Sequence, residues 1–472
     1  MIELMIISSL VLLISITSSK VLYKFGVPIL LIFIALGMLF GSDGIVGIYF
    51  SDYELTKEIS SIALVIIMFY GGFGTNWSMA KPSALSSILM STLGVIITAT
   101  LTGLFSHLVL GTTLLEGLLI GAVVASTDAA SVFAILRSQK LNLKGSLAPL
   151  LEVESGSNDP VAYMATLSIL LLMDNKGIAT LLPMVIKQIV FGLLIGILLA
   201  KCTIFFIKSL KFEIKGFYPI FILAIAILSY SLSESLGGNG YLSVYMSGII
   251  LGNSNHIPYK KSLFQFFDCI SWIMQIVLFF MLGLLSFPSK LINIIGISVP
   301  ISIFMILVAR PIATFITLYP FKYSIKEKLF ISWVGLRGAA SIVFAIYATT
   351  YGVNMTYDIY HIVFFVALFS VSIQGTLLPK VAKKLDLVDD STLVLKTFND
   401  YASDIDRQLI EVSVTPKSRF VNKSIADADI AEDILILMIK RRGKTIVPKG
   451  VTIIEDGDVL VITGDNLDQI SL

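Results

Sequence analysis

Charge is what this chain has least of. Only 14% of its 472 residues are Asp, Glu, Lys or Arg, 56% are hydrophobic, and the mean hydropathy is +0.90. Soluble domains carry about 25% charged residues, so a soluble globular protein is excluded. Cysteine is equally scarce: Cys202 and Cys269 fall in or beside apolar segments, read as small packing residues, and imply no disulfide framework. Three histidines, His107, His256 and His361, and no His-Glu-x-x-His argue against a metalloprotease. The stretch Met1–Ser19 has no Lys or Arg and no small-x-small cleavage site, so it reads as a span rather than a signal peptide. A Thr-Val-Gly-Tyr-Gly filter is missing, and the polar tail lacks a Gly-x-Gly-x-x-Gly.

What is present is a succession of apolar runs from Met1 to Lys384. They read as thirteen spans, near 2–19, 25–41, 57–75, 84–106, 113–137, 146–173, 180–207, 217–235, 239–252, 264–285, 291–318, 327–348 and 359–379. Their connections alternate in basicity. One set carries Lys20, Lys24, Lys81, Arg137, Lys140, Lys144, Lys201, the lysines at 208–215, Lys260, Lys261, the lysines at 322–328 and those at 380–384; the other carries only Lys57, Lys176, Lys187 and Lys290. The richer set is cytoplasmic by the positive-inside rule. The N terminus is then expected outside and the tail in the cytosol, the chain being a multi-pass protein of the cell membrane.

Spans five and twelve share a pattern. Thr127-Asp128-Ala129-Ala130-Ser131 is echoed by Arg337-Gly338-Ala339-Ala340-Ser341, and Phe-Ala-Ile follows in each. Both are interrupted at mid-span by a charged residue. Two inverted six-helix repeats are therefore expected, with discontinuous helices crossing near the middle of the membrane.

The polar run Glu154-Ser155-Gly156-Ser157-Asn158-Asp159 lies inside span six. Carboxylates at that depth are costly and face a bundle interior or a water-filled path. Asp159 supplies a charge, while Ser155, one turn earlier, and Asn158 supply neutral oxygens; hard cations take oxygen ligands. One buried carboxylate holds a proton or a metal cation but not both. Thr127 can add a hydroxyl or carbonyl, and Asp128 can cap helix N-termini at the break. Arg337 cannot be neutral and needs a partner; Glu154 is expected to form its structural ion pair, the opposite assignment of Glu154 and Asp159 staying open. Arg310, before Pro311, is a second buried cation whose role the sequence leaves undecided. Glu152, nearer the cytoplasmic end, is placed to line an access funnel.

The tail changes character. Leu409–Val414, Ile434–Lys440, Thr445–Val447, Val451–Ile454 and Val459–Thr463 read as strands, 423–428 as a short helix, and Asp456-Gly457-Asp458 as a hairpin turn. The organisation is a membrane domain at 1–384, a linker at 385–406 and a small α+β cytosolic domain at 407–472.

Together, Thr127-Asp128, Glu154 with Asn158-Asp159, and Gly335-Leu336-Arg337-Gly338 resemble the monovalent cation:proton antiporters, in their NhaP/NHE-like electroneutral branch. The resemblance covers 1–384. It implies a homodimer with a mobile core, elevator-like exchange of one K+ or Na+ for one proton, Asp159 as the shared cation and proton site, and Glu154–Arg337 as the ion pair. The family usually has Pro after the Thr-Asp pair; Ala129 stands there in this chain. In the tail, Val447-Pro448-Lys449-Gly450 and Asp456-Gly457-Asp458-Val459-Leu460-Val461 resemble the TrkA C-terminal domain, which implies dimerisation and regulation, in some proteins by a nucleotide such as cyclic di-AMP. No resident cofactor, enzymatic activity or nucleic-acid partner is expected. Competing readings are a ligand-gated monovalent cation channel, for which no filter is present, and an intramembrane enzyme using paired carboxylates.

Overall fold

The computed structural model describes residues 2–22, 28–139, 141–209, 212–389 and 409–463, the last without 417, 419, 429, 431–434, 442 and 443. The expected linker therefore lies outside the described residues from 390 to 406. The chain forms two compact units, Met1–Leu395 and Lys396–Leu472.

The first unit is helical. Tyr53–Gly74, Trp77–Leu110, Ile178–Ser209, Phe217–Ser235, Lys260–Leu285, Pro288–Thr317 and Ile359–Lys384 are each long and apolar enough to cross a membrane. Leu147–Met173 is as long, with its apolar run broken by the Glu154–Asp159 group. Ile2–Leu22, Leu30–Phe40 and Gly240–Asn253 complete the longer apolar pieces.

Two spans are broken. Leu114–Val123 stops, Val124–Asp128 runs without helical structure, and Ala129–Ser138 resumes. Ile325–Trp333 stops, Val334–Gly338 runs without helical structure, and Ala339–Thr350 resumes. Each broken span opens with the same device, a capping box: Thr113 with Glu116, and Ser324 with Glu327. Each follows a long helix widened by one π-type turn, at Met90–Gly94 and Met305–Ala309.

The second unit is a four-stranded antiparallel sheet ordered β1-β4-β2-β3, with β1 Leu409–Ser413, β2 Leu435–Arg441, β3 Lys444–Ile446 and β4 Val459–Thr463. In β2 the inward residues Ile436 and Ile439 are three apart; a bulge between Ile436 and Met438 restores the phase, so both reach the core beside Leu460 and Ile462. The expected strand at Val451–Ile454 is absent. Only Ile453 bridges, to Ser424, and Val451 stays exposed because a loop carries it away from the sheet. The short helix is a single turn at Ile425–Asp427, and Gly457 turns the chain into β4 with φ +81°.

Candidate functional site

The two interruptions meet. Asp128 N donates to Leu336 O at 2.8 Å, one broken span bonding to the other. Arg337 reaches across and donates through one terminal nitrogen to Ala125 O (2.7 Å) and Ser126 O (2.9 Å). Those carbonyls follow the C-terminal end of the half-helix Leu114–Val123, where partial negative charge collects, so a cation belongs there. Asp128 caps the opposite half-helix: its carboxylate accepts from Ser131 N (3.1 Å) and Ser131 Oγ (2.5 Å). A side chain at Gly338 would strike that carboxylate, which makes glycine obligatory there. The second break is tied on its other side: Arg337 N donates to Ser370 Oγ (3.1 Å), and the Gln374 amide donates to Trp333 O.

The Leu147–Met173 helix fastens itself to the first break. Ser155 Oγ donates to Thr127 O and accepts from Ala129 N, both at 2.8 Å. Asn158 donates from Nδ2 to Thr127 Oγ1, and its Oδ1, fully buried, has no donor among the described residues. Ser126 Oγ donates to Asp159 Oδ1. Asp159 is half-buried and pairs with no Lys or Arg among the described residues. Two tyrosines of Gly240–Asn253 bracket it. The Tyr245 ring lies against Gly156, one turn before Asp159, and Tyr241 meets Tyr163, one turn after, edge to face at 5.2 Å.

Glu154 does not pair with Arg337. Its partner is Arg310, at 2.7 Å, with the two side chains 2% and 1% exposed. The reason lies in what each arginine can reach. Arg337 sits in the break and finds free carbonyls there. Arg310 rises from an unbroken helix against Gly335, whose missing side chain leaves room 2.8 Å from Arg310 Nε.

Residues 8–384 match the family described as "Sodium/hydrogen exchanger, transmembrane". The chain belongs to the sodium/hydrogen exchanger family. Residues 409–470 match the TrkA-C domain. The K(+)/H(+) antiporter NhaP of Alkalimonas amylolytica is 37% identical over 377 residues, covering 79% of this chain and 65% of its own, so the match falls just short of two thirds of that protein. The K(+)/H(+) antiporter NhaP2 of Shewanella sp. (strain ANA-3) is 33% identical over 466 residues, 97% of this chain and 80% of its own. The structure of the sodium proton antiporter MjNhaP1 from Methanocaldococcus jannaschii superposes with a TM-score of 0.71 at 25% identity, over 81% of this chain and 99% of that one. The exchanger-family chain is thus a helical membrane transporter fold followed by a small sheet domain.

Within this exchanger-family chain, the five residues expected at the site converge on one crossing but divide in use. Ser155, Thr127 and Asp128 place their oxygens in bonds that shape the break; Asp159 and the Oδ1 of Asn158 keep acceptor capacity. Ser126 was not singled out from sequence, although it completes the polar run Ser126-Thr127-Asp128 in an apolar span. Glu152 lies on the exposed face of its helix.

Proposed function

We propose that this chain exchanges a monovalent cation, K+ or Na+, for protons across the cell membrane, with Asp159 holding each in turn. The observation that carries the reading is a half-buried carboxylate inside a spanning helix, unpaired with any base among the described residues, beside a serine hydroxyl and an orphaned amide oxygen. Such a group takes a proton or a cation to satisfy its charge, and the competition couples the two flows. The orphaned Asn158 oxygen is a neutral ligand of the kind alkali cations use. K+ is favoured by the names of the Alkalimonas and Shewanella relatives described above, and Na+ by that of the superposed archaeal protein.

The charges at the crossing support electroneutral, one-for-one exchange. Glu154 pairs with Arg310; Asp128 and Arg337 form no ion pair with each other but cancel in the count of charges, and Asp159 is the negative charge left over. Filled by one cation or by one proton, it crosses neutral either way. The repeated capping boxes, π-type turns and breaks support two inverted repeats. The alternating basicity of the connections supports thirteen spans with the N terminus outside and the tail in the cytosol, and the family resemblance supports a homodimer working by an elevator-like motion. Residues 1–384 are proposed as the exchanging domain and 407–472 as the regulatory one, of the TrkA-C kind that in some proteins binds a nucleotide such as cyclic di-AMP.

The test is pH-dye recovery in proteoliposomes of the full chain under an imposed proton gradient, with K+ or Na+ added and the membrane potential collapsed by a permeant anion. Exchange should persist without potential, decline toward acid pH as protons occupy Asp159, and vanish in Asp159→Asn. Intact exchange in Asp159→Asn would remove the assignment.

A further inference from the structure

The last helix of the membrane unit, Ile359–Lys384, hands its chain to a specific neighbour. Past its end, Leu385 N, Asp386 N and Leu387 N bond back to Val381 O, Lys383 O and Ala382 O, and Asp386 turns the chain with φ +59°. The next residues pair antiparallel with the loop that precedes the Asp159 helix. Lys144 N donates to Leu387 O and Asp389 N to Asn142 O, both at 2.9 Å, framing the bridge Leu143–Val388. Lys144 Nζ donates to Asp386 O (3.0 Å) and Oδ1 (2.9 Å), and that hydrogen bond, with the lysine's charge behind it, holds the Asp386 carboxyl below the ordinary range. Leu143 and Leu387 are buried in an apolar cluster shared with Ile135, Leu147 and Phe330.

The position of this clasp is what gives it meaning. The 141–144 loop joins two working parts: Ala129–Ser138, capped by Asp128, and Leu147–Met173, which carries Asp159. From Leu147 to Asp159 is twelve residues of continuous helix, about 18 Å of rigid rod. The other strand of the clasp is the last described chain before the sheet domain. A helix end needs only a cap. Here four residues, Asp386 to Asp389, are stitched to the loop that joins the two parts. Two backbone bonds and one exposed ion pair are each modest, so most of the holding energy lies in the burial of Leu143 and Leu387.

We propose that the clasp between 141–144 and 386–389 is the lever through which the TrkA-C unit sets the rate of exchange at Asp159. This rests on the regulatory reading above. Opened, it frees the Asp159 helix to move with its half-helix partner; closed, it holds both.

The test locks it. Leu143 and Val388 form the non-hydrogen-bonded type of antiparallel pair, whose Cα atoms lie about 4.5 Å apart, inside the range a disulfide spans. Leu143→Cys/Val388→Cys is placed in a full-length chain carrying Cys202→Ser and Cys269→Ser. A second version adds about ten Gly-Ser residues after Leu395 to slacken the tail. Cation–proton exchange is measured in proteoliposomes, oxidised and reduced. Oxidation should slow exchange at least about fivefold, reversibly, the low end of ordinary coupling between sites. The Gly-Ser insertion should change the reduced rate at least about threefold and leave the oxidised rate alone. An oxidised rate equal to the reduced one overturns the lever, as does an insertion effect of equal size in both states. An insertion without effect in either state removes regulation by the tail, and the lever with it. Wild-type protein that exchanges nothing removes the antiporter reading instead. Hydrogen exchange on the unmodified chain needs no variant to fold: the Lys144 and Asp389 amides should change protection on adding K+ or Na+. Unchanged protection in the wild type also overturns the proposal.

Discussion

Two buried arginines and one buried glutamate make a double-mutant cycle the most direct probe of this site. Glu154 and Arg310 meet at 2.7 Å with at most 2% of either side chain exposed. Removing one partner of such a pair leaves a charge in a place where solvation is poor, at a cost of about 3–5 kcal/mol. Arg310 has little to fall back on, because its Nε and other terminal nitrogen already have no acceptor among the described residues. Glu154→Ala and Arg310→Ala should each cost that much, and the double variant far less than their sum. The expected coupling is about 3 kcal/mol, roughly a hundredfold in the folding equilibrium. Glu154 and Arg337 should couple by less than about 1 kcal/mol, the range for charges without a shared contact. Arg337→Ala instead leaves Ala125 O without its donor, at about 1–3 kcal/mol for a carbonyl left unsatisfied, while Ser126 O keeps only the Ser341 hydroxyl at 3.4 Å. It should therefore disturb cation affinity more than the variants at 154 do. Unfolding free energies of purified protein in bicelles give both cycles. A 154–337 coupling as large as the 154–310 coupling would refute the assignment.

Asp128→Ala should lower stability by about 1 kcal/mol through the lost cap on Ser131, with Asp128→Asn retaining most of it; equal melting of the two would contradict the capping role. Gly156→Ala puts a methyl group 2.5–2.7 Å from the Tyr245 side chain and should cost about 1–3 kcal/mol and most of the exchange rate, but add little to the cost of Tyr245→Ala when the two are combined; exchange unaffected by Gly156→Ala would mean the ring yields freely. In the sheet domain, Asp458 is fully buried and the Arg441 guanidinium holds its carboxyl below the ordinary range. A lowered carboxylate contributes stability that is complete above the unfolded value near 4 and disappears as pH falls through the folded one. Rate-corrected hydrogen exchange in β4 should show that acid loss in the wild type, and a flatter profile in Asp458→Asn; parallel profiles would contradict it.

The sequence displayed the site's parts more fully than their pairing. Asp159, Asn158 and Ser155 stand in one run, and a charged residue in the middle of an apolar span marks each break. These are local signals, set by the cost of polar groups in a membrane. Which arginine meets Glu154 is a matter of how three helices dock, and both candidates carry the same charge at mid-span. Arg337 is answered by carbonyls that exist only because span five unwinds; without the unwound geometry, Glu154 is the obvious acceptor. The same limit explains the tail. The residues Val451–Ile454 have strand composition, but β4 is flanked by β1 and β2, and no edge is left beside it for them. Ser126 escaped notice because a serine among small residues is ordinary in a membrane helix; only its distance to Asp159 distinguishes it.

The bonds at the crossing carry a lesson for anyone exchanging parts between exchangers. Leu336 O receives Asp128 N, Ala125 O and Ser126 O receive Arg337, and Gly338 makes room for the Asp128 carboxylate. Every one of these relations has one member in each broken span. The two breaks are thus a single part supplied by distant stretches of gene. A chimaera that imports one broken span from a relative inherits half a joint, whereas importing both should carry the whole of it, however dissimilar the surrounding helices.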